Sequence, residues 1–310
     1  MKIAPTHAEI GSIFANSNPQ DVWQKAVEIV RNVNPRFDAG HAKTVFDDVM
    51  HLFAGDYPGY CPIGTLYHDR QHTLDVFLCA IRLMHGVHVS GYAVTDDEMS
   101  MIMIAALMHD TGYAQPVGEN FGTGAQHTQI HVNRSVAFMR QYFVEKHLPV
   151  DWVGSLEAII LCSNPVLTIS EIEFPDERVR RLGEIIGTAD LTGQMADRNY
   201  LEKLLFLFLE FEEARFGNYQ DIHDLLRNTQ VFYEASLRRL REQFGGIYGK
   251  LSCHFKCWYG VDNNYYLESI EKNIAYLARI TALEDGNHFD MLKRGGIVER
   301  QMFCKIKNRI

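Results

Sequence analysis

The eight-residue apolar run Met101–Met108, closed by the ionisable pair His109-Asp110, constrains this chain more than any other segment. Thr95-Asp96-Asp97-Glu98 precedes it as a capping box, with Thr95 as the cap and a glutamate three positions on. The pattern predicts a helix through Met99–Met108, buried in the core, whose polar end is buried with it. Burying a charge is costly unless it is paired or bound to a cation. A carboxylate is also disfavoured at the negative end of a helix. Asp110 therefore calls for a lysine, an arginine or a metal ion. With the neighbouring imidazole it forms a nitrogen–oxygen donor pair that zinc, manganese or iron accepts.

Helical periodicity dominates the remainder, and alternating strand patterns are absent, so the expected class is all-α. Asn18-Pro19 is an N-cap with a first-turn proline, opening a helix through Val22, Ala26, Ile29 and Val30. Further helices are expected over 41–53, 68–85, 127–146, 151–162, 201–216, 221–244 and 262–283. Ser170 and Glu173 form a second capping box, ahead of a helix through Leu182, Ile185, Ile186 and Ala189. Turn-rich composition marks 55–64 and 114–126 as loops, the second of them exposed. The sum is roughly ten helices. Residues 1–40 are expected to pack as N-terminal helices on a core spanning 41–200, with 201–310 as a C-terminal helical extension in one compact unit with it.

A hydrophobic fraction of 46% is ample for such a core. The net charge of −9 argues against a general nucleic-acid binder. It does not exclude an anionic substrate, because a bound ion supplies positive charge that a sequence sum omits. No apolar run approaches the roughly 20 residues of a membrane span, and Met1–Ile13 lacks the pattern of a secretory signal. Six scattered cysteines are predicted to be reduced thiols of a cytoplasmic protein. Cys253, His254 and Cys257 lack the second ligand pair a zinc site needs, so packing is their expected role.

Two further segments resemble the doublet in placing ionisable residues against apolar helix. In Tyr67-His68-Asp69-Arg70-Gln71-His72-Thr73-Leu74-Asp75-Val76, His68 and His72 are four apart and would share a helical face. In Ile185-Ile186-Gly187-Thr188-Ala189-Asp190, an acid interrupts an apolar stretch behind small residues that admit a close helix. The order His, His-Asp, Asp over residues 66–194 resembles the HD superfamily of metal-dependent phosphohydrolases. The flanks are closest in style to its cyclic-nucleotide phosphodiesterase-like branch. Asp69 stands where that branch usually has asparagine, and Thr111-Gly112 departs from its pattern after the doublet. No His-His pair lies near Cys162, so cyclic-dinucleotide cleavage is disfavoured.

The resemblance implies an HD-domain helical bundle in which His72, His109, Asp110 and Asp190 hold a divalent metal (Mn, Mg, Fe, Zn, Co or Ni), with His68 protonating the leaving oxygen. His131, followed by His127, is the candidate for a second ion. Arg70 and Arg134 are candidates for substrate phosphate. The implied activity is hydrolysis of a small phosphate ester, a nucleotide among the candidates, with a homodimer left open. Two alternatives are an HD-fold di-iron oxygenase and a non-catalytic ligand-binding HD protein. The oxygenase needs two additional histidines, for which the chain offers His127 or His131 and, less suitably, Cys162 or His147. His147 itself is expected to cap a helix C-terminus with its side chain.

Overall fold

The computed structural model describes residues 13–14, 18–119, 121–283, 291–292 and 296–298. Eleven α-helices and no strand occur among these residues. The helices are α1 (Pro19–Val33), α2 (Gly40–Ala54), α3 (Arg70–Val89), α4 (Asp96–Met108), α5 (His131–Glu145) and α6 (Val153–Leu161), followed by α7 (Glu177–Ala196), α8 (Tyr200–Ala214), α9 (Ile222–Glu242), α10 (Lys250–Tyr259) and α11 (Tyr265–Thr281). The expected all-α class is thereby met.

Local signals explain most of the starts. Asn18 caps α1 through Gln20 N, with Pro19 in the first turn. Thr95 and Glu98 close the capping box at α4 reciprocally. Glu98 also carries tertiary weight. Its buried carboxylate accepts Nε and Nη2 of Arg178, both at 2.8 Å, tying the start of α4 to the start of α7. The two helices that end on or carry the key acids are thus held at their far ends by one bidentate pair.

Several boundaries differ from the sequence expectation. The second capping box forms at Thr168 and Glu171, around a short 3-10 turn, and α7 begins later, with Asp176 accepting from Arg178 N and Val179 N. The segment 114–126 is only partly exposed: Ala114, Gln115 and Ala125 are buried. Helix α10 was not anticipated. It carries Cys253, His254 and Cys257, but His254 turns inward against His85 while Cys257 is exposed, so the three do not converge. His147 ends α5 with its backbone rather than its side chain: it adopts φ 54°, and Leu148 N reaches back to Phe143 O.

The layers centre on α3 and α7, which pack on each other. Helices α1, α4 and α10 also cover α3, while α4, α6 and α11 cover α7. One continuous apolar cluster reaches from Ile13 to Leu292, so the N-terminal, central and C-terminal segments share a core. Helix α4 is buried from Glu98 to Met108 on every side, which is why its composition lacks a polar face.

The turn after the doublet is pressed tightly against α5. A Cβ on Gly112 would lie 1.9 Å from His131 O and 2.7 Å from Ser135 N. Ser135 Oγ accepts Gly112 N, and Arg134 donates to the carbonyls of Gly112 and Ala114. Gly112→Ala should therefore destabilise the protein by about 1–3 kcal/mol, the usual cost of overpacking. Scanning calorimetry should record a lower Tm; an unchanged Tm would contradict the close approach.

Candidate metal centre

The centre is assembled from three helices. Asp69 caps α3 by accepting His72 N at 2.8 Å, which sets His72 in the first turn, facing inward. Aspartate caps a helix as well as asparagine does, so the residue that departs from the phosphodiesterase pattern keeps this local role. His68 precedes α3 and is not on its face as the four-residue spacing suggested. His109 ends α4, and its Nδ1 lies 2.9 Å from Ala106 O. That contact places the ring proton on Nδ1 and leaves Nε2 as a lone-pair donor. Asp190 lies within α7 and remains partly open to the adjoining cavity.

Three of these residues, His72, His109 and Asp110, meet at one point. His72 Nε2 and His109 Nε2 are 3.3 Å apart, and each is 3.2 Å from Asp110 Oδ2. Tetrahedral ligands about 2.0–2.1 Å from a zinc-sized ion stand about 3.3 Å from one another. The three donor atoms already have that spacing. Asp190 Oδ1 is next, 3.4 Å from His72 Nε2 and 3.9 Å from His109 Nε2. Asp110 Oδ2 is buried without a hydrogen-bond partner despite these neighbours. An orphaned carboxylate oxygen facing two imidazole nitrogens suits a cation. Among the described residues, His72, His109 and Asp110 are the one group of three or more such side chains within this range.

Electrostatics agree with the geometry. Burial alone would lower the pKa of His72, but Asp110 and Asp190 outweigh it and raise the value to about 10. His109 is likewise raised, burial being overcome chiefly by Asp110. Burial would raise Asp110, yet His109 and His72 hold it well below the usual carboxylate range. Without an ion, the site is therefore a proton-bearing imidazole–carboxylate cluster.

A second ring of residues adjoins it. His131 Nδ1 lies 2.6 Å from Thr128 O, which aims Nε2 at Asp110 Oδ1, 3.4 Å away. His68 Nδ1 pairs with Glu210 Oε2 at 2.7 Å, and Glu210 Oε1 accepts the backbone N–H groups of Tyr67 and His68. Tyr113 packs against both the His68 and His131 rings, at 4.9 and 4.6 Å, and those two rings are themselves 5.9 Å apart. Sequence reasoning missed Glu210 and Tyr113. The available signal for Glu210 was an acid at the end of the apolar run Leu204–Leu209, the same signature that marked Asp110.

Other candidates lie elsewhere. His127 is in a 3-10 turn, partly exposed, with Arg134, Glu119 and Glu213 as its charged neighbours. Arg70 is exposed at the start of α3. Arg134 donates Nε and Nη2 to the backbone carbonyls of Gly112 and Ala114, bracing the turn after the doublet. His147 is exposed at the end of α5, and burial pushes the Cys162 thiol up to about 12.

One family model, described as Npun_R2479-like, matches residues 119–244, less than half of the chain. The match includes His131, Asp190 and Glu210 and begins after His72 and the doublet. No curated protein and no solved structure matches.

Metal ligation needs unprotonated imidazoles. With His72 raised to about 10 and His109 raised in the same direction, an incoming ion must displace protons at neutral pH. Titration calorimetry in buffers of different ionisation enthalpy should show proton release on Mn²⁺ binding at pH 7, with affinity increasing from pH 6 to 8. Conversely, the stability that protonated His72 lends the ion-free protein is full below the ordinary histidine pKa of about 6.5. It is lost as pH rises through about 10. Affinity independent of pH, with no proton release, would contradict this picture.

Proposed function

We propose that this chain is an HD-type metal-dependent phosphohydrolase acting on a small phosphate ester, with His72, His109, Asp110 and Asp190 holding its ion. The observation that carries the reading is the set of three donor atoms, 3.2–3.3 Å apart, with Asp110 Oδ2 otherwise unpartnered. When bound, a divalent ion supplies Lewis acidity, activating water near neutral pH and offsetting charge on the phosphoryl oxygens.

The chain's own groups supply the proton chemistry and orientation. Glu210 engages His68 at Nδ1, so Nε2 is the atom left to protonate a departing alkoxide. The Glu210 carboxylate, buried and bonded to two backbone N–H groups, is itself fixed in place and so holds the His68 ring in one orientation. Tyr113 restrains the His68 and His131 rings by packing against both. Buried Asp110 and partly buried Asp190 accept positive charge at the end of the cavity where a phosphoryl group would sit.

Hydrolysis of p-nitrophenyl phosphate or its bis-ester should be detectable with Mn²⁺, Co²⁺ or Mg²⁺. His109→Ala and Asp110→Ala should each lose both bound metal, read by elemental analysis, and turnover. His68→Ala should keep its metal while slowing turnover by roughly 10²–10⁴-fold, the usual worth of a general acid. An His68→Ala enzyme of full rate would remove the acid assignment. Glu210→Gln should lower kcat while leaving KM and metal content unchanged; an unchanged kcat would limit Glu210 to a structural role.

The position of His131 beside Asp110 favours a second reading, an HD-fold iron oxygenase with two ions. Iron with a mixed-valence paramagnetic resonance signal, together with no hydrolysis in manganese, would select it. A pure protein without metal or turnover would select the non-catalytic reading.

A further inference from the structure

We infer that the cavity beside the metal centre receives an uncharged apolar group, aryl or alkyl, carried by a substrate with a single phosphoryl group. The single-phosphoryl part rests on the phosphohydrolase reading; the apolar part does not.

The cavity encloses about 660 Å³ and runs from His68, Asp110 and Asp190 to the far end of α9. That volume is within the range of about 300–1,000 Å³ typical of small-molecule sites, and far exceeds what a phosphoryl group fills. Its walls come from α7, α8, α9 and the 162–168 segment, with Leu204, Leu207, Phe211 and Leu225 among the apolar side chains that line the space. Phe211 stacks on Tyr219, fixing an aromatic wall. Val166 and Phe232 also line it and are 78% and 41% exposed. Large apolar side chains left open around an apolar pocket mark a binding surface.

Several polar side chains of the lining are already occupied within the protein, while Tyr113 Oη and Arg239 Nε are buried there without a hydrogen-bond partner. Thr229 donates to Leu225 O, Ser163 to Ile160 O, and Asn228 Nδ2 to the backbone and side chain of Asp224. Arg239 is the one lysine or arginine in the lining, and its Nη2 is spent on the carbonyls of Cys162, Asn164 and Leu167. A sugar or nucleobase would find few free donors there and would leave its own polar groups unsatisfied. Beyond the group held at the metal centre, a polyphosphate would meet Arg239 as the one lysine or arginine of the lining, already spent on carbonyls. An apolar group incurs neither penalty.

The neutral fluorophore N-phenyl-1-naphthylamine tests the apolar part without phosphate or turnover. Its fluorescence should rise on binding the full-length protein, and 1-naphthyl phosphate should displace it while AMP and ATP should not. Ala235→Trp places bulk at an exposed α9 position that lines the cavity. It should weaken probe binding at least about tenfold with metal content and circular dichroism unchanged; Leu207→Trp should do the same from the opposite wall. Probe binding that both variants leave intact, or displacement by AMP as effective as by 1-naphthyl phosphate, would overturn the inference. In the turnover assay, kcat/KM for 1-naphthyl phosphate should exceed that for AMP by at least about tenfold. Equal values would also overturn it, while leaving the hydrolase reading standing. Probe binding blocked by the variants, with no hydrolysis of any ester, would keep the apolar site and reject the hydrolase.

Discussion

The buried carboxylate of Asp110 is the constraint around which this molecule is arranged. It lies just beyond the carboxyl end of an apolar helix, where both burial and the helix dipole disfavour negative charge. The fold answers by bringing His72 and His109 to one of its oxygens and His131 to the other. The Glu98–Arg178 pair at the opposite end of α4 belongs to the same solution, since it fixes α4 against the helix that carries Asp190.

Around this point the structure separates two tasks. Helices α3, α4 and α7 supply the atoms suited to gripping a cation. Helices α8 and α9 supply Glu210, which orients His68, and a large part of the cavity wall away from the ligands. The region similar to the Npun_R2479-like family spans 119–244, and so covers the wall and the orienting glutamate more fully than the ligand set. A division of this kind lets one metal-binding arrangement serve different organic groups, because pocket shape can change without disturbing the ligands.

Much of the architecture was legible in advance where a short-range cause acted alone. The caps at Asn18 and Thr95 and the buried helix between Met99 and Met108 follow from hydrogen bonds and periodicity within a few residues. Errors arose where local signals competed. Ser170 and Glu173 have cap spacing, but Thr168 and Glu171 satisfy it first, and Asp176 begins α7. His68 and His72 have helical spacing, but Asp69 between them is the cap, so the helix cannot include both. The bonds from Arg134 to the carbonyls of Gly112 and Ala114 span some twenty residues, so no local pattern announces them.

Residue type and order alone determined that the chain would be helical and that His109-Asp110 would be a polar end buried with its helix. They also marked His72 and Asp190 as the other ionisable residues set against apolar helix. Helix formation and burial of that doublet depend on neighbours within one or two turns, so sequence is sufficient for them. Only the tertiary structure decided which atoms face one another: the 3.3 Å approach of two imidazoles, the pairing of His68 with Glu210, 142 residues away, and the cavity closed by α8 and α9. Those depend on packing between distant helices, where an ångström of displacement separates a ligand set from a group of unrelated side chains.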